Sequence, residues 1–207
     1  MPQFPNSEGF ILAGGKSSRM GSDKALLEFG GITILQRTAD LAAPLVSRVS
    51  LITSSPAASE VASPYAQLKL PLIGDRWPGA GPLGGITTAL LSASADLCLI
   101  LACDLPHLTQ DWLAFLLDRS AKSGADAVVP ETAKGLEPLC AVYRASRSAT
   151  LAAALDGGVR KVTDALAALK ISKIPESEWR PFSQDGLLFH NMNTRQDYLD
   201  ARQNLKT

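Results

Sequence analysis

Histidine and cysteine are scarce in this chain: His107 and His190, and Cys98, Cys103 and Cys140, among 207 residues. Three cysteines cannot all pair with one another, and none forms a CxxC. That excludes a disulfide framework, offers no zinc cluster, and points to a reduced, cytoplasmic compartment. Net charge is missing as well. Lys+Arg and Asp+Glu both count 20, which argues against nucleic acid held by bulk charge while leaving room for a local basic site. No apolar stretch suits a membrane: the longest uncharged run, Trp77 to Ala95, carries Gly79, Gly81, Gly84, Gly85, Pro78 and Pro82. No basic residue precedes Lys16 and Glu8 lies near the start, so no secretory signal is expected. A soluble domain remains, with its function in local motifs.

No internal repeat, low-complexity tract or long linker divides the chain, so residues 1–207 are expected to form a single domain. Strand-like runs at Gly9–Ala13, Val46–Thr53, Leu68–Ile73, Leu97–Cys103 and Asp126–Val129 alternate with helical stretches near Thr33–Ala43, Gly84–Ser94 and Gln110–Ser123. Continuously apolar strands such as Leu97–Leu101 suggest burial on both faces. The expected fold class is therefore α/β, three-layer, with a mostly parallel central sheet. In the helix at 110–123, Thr109 is the expected N-cap, and Trp112, Phe115 and Leu116 share a core-facing stripe. Further on, Pro138–Arg144 reads as a strand, Ser148–Leu155 and Val159–Leu169 as short helices, and Leu187–Met192 as a late strand. A last helix begins at Thr194, with Asp197 at capping-box spacing.

Ligands of an open α/β sheet sit beyond the carboxyl ends of its strands. Attention therefore falls just after Ala13, Thr53, Ile73 and Cys103. After Ala13 comes Gly14-Gly15-Lys16-Ser17-Ser18-Arg19-Met20-Gly21-Ser22-Asp23-Lys24. Glycines let backbone N–H groups approach an anion, and Lys16, Arg19 and Lys24 can share the charge of a polyphosphate. A Walker A loop would need glycine at position 10, where Phe10 stands.

After Ile73, Gly79-Ala80-Gly81-Pro82-Leu83-Gly84 spells GxGxxG. A dinucleotide fingerprint begins directly after its strand, whereas Gly74 to Pro78 intervene here. A loop closing over a base or substrate, with Asp75 as recognition carboxylate and Trp77 as a packing residue, fits better. After the apolar run Cys98–Cys103, Asp104 is placed at the ligand edge. A hard cation bridging phosphates often takes one or two protein carboxylates, which makes Asp104 a candidate Mg²⁺ ligand; a turn or cap role before Pro106 is the competing reading. Cys103 reads as a small buried hydrophobe. Asn191 and Asn193 alternate on one face of the expected late strand, where turn and cap chemistry competes with a site.

Together, Leu12-Ala13-Gly14-Gly15-Lys16-Ser17-Ser18-Arg19-Met20-Gly21 with Asp23-Lys24, Gly81-Pro82-Leu83-Gly84-Gly85-Ile86, Cys103-Asp104-Leu105-Pro106 and Asn191-Met192-Asn193-Thr194 resemble the molybdenum cofactor guanylyltransferases, within the wider nucleotidyltransferase family. The resemblance implies a Rossmann-like nucleotidyltransferase fold. It also implies transfer of GMP from GTP to the phosphate of molybdopterin, or its molybdenum-bearing form, with release of pyrophosphate. Leu12, Ala13 and Gly14, with Gly15, would hold the nucleotide by their backbones. Lys24 would hold the phosphates with Arg19 nearby, Asp75 the guanine nucleotide, and Asp104 Mg²⁺; Asn191 and Asn193 would lie toward molybdopterin. Transient contacts with other cofactor-biosynthesis proteins or acceptor apoenzymes are implied too. One departure stands out: relatives often carry Asn near the end of the second strand, where this chain has Ile52-Thr53-Ser54-Ser55.

Such chemistry needs no histidine or serine nucleophile, because the acceptor brings its own phosphate oxygen; alignment and charge neutralisation suffice. Two alternatives stay open: a cytidylyltransferase acting on molybdopterin or another phosphorylated small molecule, and a catalytically silent nucleotide-binding module. Gly14-Gly15 after Ala13 resembles the guanylyl branch, since cytidylyl relatives commonly show Ala-Ala-Gly.

Overall fold

The computed structural model describes residues 1–13, 24–29, 31–54, 65–183, 185–192 and 194–204. Ten strands are formed by the described residues: β1 (Ser7–Ala13), β2 (Glu28–Phe29), β3 (Ile32–Thr33), β4 (Val49–Thr53), β5 (Leu72–Gly74), β6 (Leu97–Ala102), β7 (Ala127–Thr132), β8 (Gly135–Leu136), β9 (Cys140–Arg144) and β10 (Ile171–Ile174). The helices are α1 (Ile34–Ala42), α2 (Pro82–Ser92), α3 (Gln110–Ser123), α4 (Ser148–Asp156), α5 (Val162–Leu166), α6 (Glu176–Trp179) and α7 (Arg195–Asn204). None of these helices is long and apolar enough to cross a membrane.

The main sheet runs β10-β7-β9-β6-β1-β4-β5, with β8 folded back on β7; β2 and β3 form a separate small ribbon. β1 lies parallel to both β4 and β6, β4 to β5, and β10 to β7. β9 runs antiparallel to β6 and β7, which makes the sheet mixed, as the expected "mostly parallel" sheet allows.

Alternation along the strands feeds two cores. Ile11, Leu51, Leu99, Leu101, Val128 and Val142 face α1 and α3, whereas Phe10, Ile52, Ile100, Val129, Ala141 and Tyr143 face α2, α4 and α5. Successive strand side chains point to opposite faces, so an unbroken apolar strand such as β6 is the form a doubly covered sheet requires. All six residues of β6 are buried. Each of its fully buried leucines and isoleucines contributes roughly 1.5–3 kcal/mol relative to solvent exposure.

Local chemistry sets the helix ends. Thr33 and Thr109 accept from the backbone N–H of Gln36 and Trp112, capping α1 and α3. α3 stops at Gly124 in the left-handed conformation (φ 59°). At the start of α7, Thr194 and Asp197 cap each other: Asp197 N–H donates to Thr194 Oγ1 at 3.1 Å and Thr194 N–H to Asp197 Oδ2 at 2.7 Å. The aspartate thus completes the reciprocal box expected from its spacing.

Several boundaries differ from expectation. β4 begins at Val49, and Leu72–Gly74 is the strand while Ala66–Leu68 forms a 3₁₀ turn. α2 starts two residues early, which makes Pro82 the first helical residue instead of a loop residue. The helix expected over 159–169 shortens to α5. β10 and α6 were not anticipated. The larger correction concerns Leu187–Met192, which is not a strand. His190 N–H closes a turn on Leu187 O at 2.8 Å, and Leu188 and Met192 are buried as packing residues.

Candidate functional site

The edge formed by the carboxyl ends of β1, β6 and β5 gathers the described candidates. Leu12 and Ala13 end β1, with Leu12 in register between Ile52 of β4 and Ala102 of β6. Beyond Ala13, residues 14–23 lie outside the described part, and with them Gly14, Gly15, Lys16 and Arg19. Lys24 opens a short 3₁₀ turn, Lys24–Leu26; its side chain is not described.

The loop after β6 is anchored from three directions. Asp104 O accepts from Met192 N–H at 2.9 Å, Pro106 O accepts from Arg37 Nε of α1 at 3.2 Å, and Leu105 and Leu108 are buried in the core shared with α3. These anchors hold the partly buried Asp104 at the sheet edge. They also bring the segment ahead of α7 beside it, which places Asn191, exposed, next to the buried Met192. The shared strand face expected for Asn191 and Asn193 is absent, because no strand forms there; Asn193 lies outside the described residues.

Asp75 is held by its own loop. Its N–H extends the β4–β5 ladder to Thr53 O at 2.8 Å, and its Oδ1 accepts from Trp77 N–H (2.9 Å) and from the Thr88 hydroxyl of α2 (3.0 Å). The same hydroxyl accepts from Arg76 N–H at 3.0 Å. Asp75 Oδ2 has no hydrogen-bond partner among the described residues. Gly84 is what lets α2 approach: a Cβ there would stand 2.9 Å from Trp77 O and 3.1 Å from Asp75 Oδ2. At Gly85 it would stand 3.2 Å from Leu12 Cδ2. These two glycines serve close packing of a helix on a loop and a strand. Trp77 packs, half-buried, against the core on the α2 side, as expected for a packing residue.

The thiols are not nucleophiles in waiting. Burial pushes Cys140 up to about 12 and raises Cys98 further, with Glu8 and Asp96 adding to the latter. Cys103 is half-buried and not fully enclosed. His107 is half-buried, with Nδ1 4.0 Å from Asp185 Oδ2 and a buried Nε2 unpartnered among the described residues. Burial lowers its pKa, Asp185 partly opposes this, and His190 and Arg37 add to the lowering.

Glu137, just before β9, is half-buried, and its carboxyl is raised by burial. Thr132 and Lys134 oppose that rise, and the charge of Asp104 adds to it. Among the described residues, no three His, Cys, Asp or Glu side chains gather into a metal cluster.

Residues 9–170 match the MobA-like NTP transferase domain. Over 192 residues the chain is 34% identical to a probable molybdenum cofactor guanylyltransferase of Peptoclostridium acidaminophilum, covering 90% of this chain and 84% of that one. It is 30% identical to the molybdenum cofactor guanylyltransferase of Syntrophotalea carbinolica, over 91% and 87% of the two chains. Its fold superimposes on the crystal structure of molybdopterin-guanine dinucleotide biosynthesis protein A from Archaeoglobus fulgidus with a TM-score of 0.83 and 25% identity, covering 96% of this chain and 98% of that one. The mixed sheet with helices on both faces, the carboxylate at the end of its central buried strand and the extent of these similarities together make the chain a member of the MobA-like NTP transferase family.

Proposed function

We propose that this chain transfers GMP from GTP to the phosphate of molybdopterin, or its molybdenum-bearing form, producing the molybdopterin guanine dinucleotide and releasing pyrophosphate. The observation that carries the reading is similarity to named guanylyltransferases along about nine-tenths of the chain. The site supports it with a carboxylate, Asp104, fixed at the carboxyl end of a buried strand and next to the end of β1.

In this reading an oxygen of the acceptor phosphate attacks the α-phosphorus of GTP as the bond to the β-phosphate's bridging oxygen breaks, and pyrophosphate carries away the electron pair. The backbones of Leu12, Ala13 and Gly14, with Gly15, hold the nucleotide at the end of β1. Lys24 and Arg19 take up phosphate charge. Asp75, with Oδ1 fixed by Trp77 and Thr88, offers Oδ2 to the guanine nucleotide. Asn191 and Asn193 face the molybdopterin side.

A half-buried carboxylate is a hard oxygen donor, and at Asp104 it fits Mg²⁺. Bound there, Mg²⁺ supplies neutralisation of the phosphates and alignment for in-line displacement. All 207 residues act in this reading as one nucleotidyltransferase domain, with GTP toward its N-terminal part and molybdopterin toward its C-terminal part. The reaction is placed in the cytoplasm, where the free thiols stay reduced.

A nucleotide competition tests the choice of base. With purified molybdopterin and Mg²⁺, GTP should be consumed at least ~10-fold faster than CTP, a preference of about 1.4 kcal/mol. Faster CTP turnover would replace the guanylyl reading with the cytidylyl one. Nucleotide binding without pyrophosphate release would indicate a silent binding module.

A further inference from the structure

We propose that Tyr198 of α7 is a positioning residue for Lys24, acting through the short ribbon that follows Lys24 in the chain. The inference rests on the reading of Lys24 as a phosphate-binding residue. It extends that reading to the last helix, which the sequence marked only by its cap.

Lys24 opens the 3₁₀ turn Lys24–Leu26, and the chain then enters the ribbon β2–β3. That ribbon stands apart from the main sheet and has two residue pairs, Glu28↔Thr33 and Phe29↔Ile32. An isolated two-stranded ribbon is marginal in water, so its place is set by what it is tied to. Ala25 is fully buried in the core shared with α1 and α3. Leu27 O accepts from Ile34 N–H at the start of α1, at 3.0 Å. A further tie comes from the far end of the chain: Tyr198 Oη donates to Glu28 O at 2.5 Å, four residues after Lys24.

The helix that supplies this hydroxyl is itself fixed. The Tyr198 ring packs with Leu27 against Ile34, Met192 and Ala201. The reciprocal box of Thr194 and Asp197 sets where α7 begins, and Met192 N–H, just ahead of it, donates to Asp104 O at 2.9 Å. The same stretch of chain thus holds the segment that follows Lys24 and the loop that carries Asp104. Lysine meets a phosphate as a point charge on a flexible stem, so where that charge falls depends on where its backbone is held. Small misplacements of such a group are costly at a reacting centre.

Calorimetric titration of the intact protein with GTP and Mg²⁺ tests this apart from turnover. Tyr198→Phe keeps the ring in its cluster and removes only the donor to Glu28 O. It should weaken GTP binding by roughly 3–10-fold, the range of one hydrogen bond, and Lys24→Ala should weaken it by roughly tenfold or more. The decisive comparison is the double variant. If Tyr198 acts through Lys24, adding Tyr198→Phe to Lys24→Ala should change GTP affinity by less than about twofold, because the two losses are not independent. Wild-type affinity in Tyr198→Phe, or the same loss with and without Lys24, would overturn the role of Tyr198 and leave the reading of Lys24 standing. Wild-type affinity in Lys24→Ala would overturn both. Should Tyr198→Phe fail to fold, GTP added to the wild type should slow amide exchange at Ile34, which closes on Leu27, and unchanged exchange would overturn the inference.

Discussion

Thr88 commits one oxygen of Asp75 to shaping the loop, for its hydroxyl donates to Asp75 and accepts from Arg76 N–H. Asp104 is tied to the segment ahead of α7 through its backbone carbonyl, which accepts from Met192 N–H. His107, three residues on, is held mainly by packing, and burial lowers its pKa from 6.5. The unfolded chain therefore binds a proton near pH 6.5 that the folded protein resists. The corresponding stability is fully present above that pH and declines as pH falls toward the lowered value. His107→Phe removes both the buried Nε2, which has no partner among the described residues, and this linkage. Between pH of about 7.5 and about 5.5 the wild-type melting temperature should fall further than that of the variant; parallel losses would show that His107 takes up its proton as easily folded as unfolded.

A cluster of five aromatic rings explains why the segment ahead of α7 was misread. Trp112 of α3 lies 5.8 Å from Phe115, 5.6 Å from Phe182 and 5.6 Å from Phe189, and Trp179 meets Phe189 edge-on at 5.0 Å. Leu187-Leu188-Phe189 looks like a strand because it is apolar, yet Leu188 and Phe189 pack into the core shared with α3 instead of joining a ladder. Periodicity over so few residues cannot separate the two. Caps were legible because their chemistry is local: Thr109, and Thr194 with Asp197, act within three residues of themselves. Trp112 also donates through Nε1 to Cys140 Sγ at 3.3 Å, so the cluster reaches β9 near Glu137. Trp112→Ala should cost ~3–5 kcal/mol in chemical unfolding. It should also loosen the segment carrying Asn191, read as faster amide exchange at His190 and Met192. A loss below 1 kcal/mol with unchanged exchange would deny the cluster that anchoring role.

At the scale of the whole molecule, strand order does what no local motif can. β6, β1, β4 and β5 lie side by side, so Asp104, Leu12 and Asp75 come to one edge from distant parts of the chain. Three of the places singled out in the sequence follow from a single rule, that ligands lie beyond the carboxyl ends of strands. The antiparallel insertion of β9 between β6 and β7 escaped the sequence reading, because strand direction is not written in local composition.

Pyrophosphate release tests the account most directly. Wild-type protein with GTP, molybdopterin and Mg²⁺ should release one pyrophosphate for each GTP consumed. Asp104→Asn should lose roughly 100-fold or more in rate, as expected when charge stabilisation at the reacting phosphates is removed, with an unchanged melting temperature. Equal rates in the two proteins, or no pyrophosphate from the wild type, would contradict nucleotidyl transfer at this edge of the sheet.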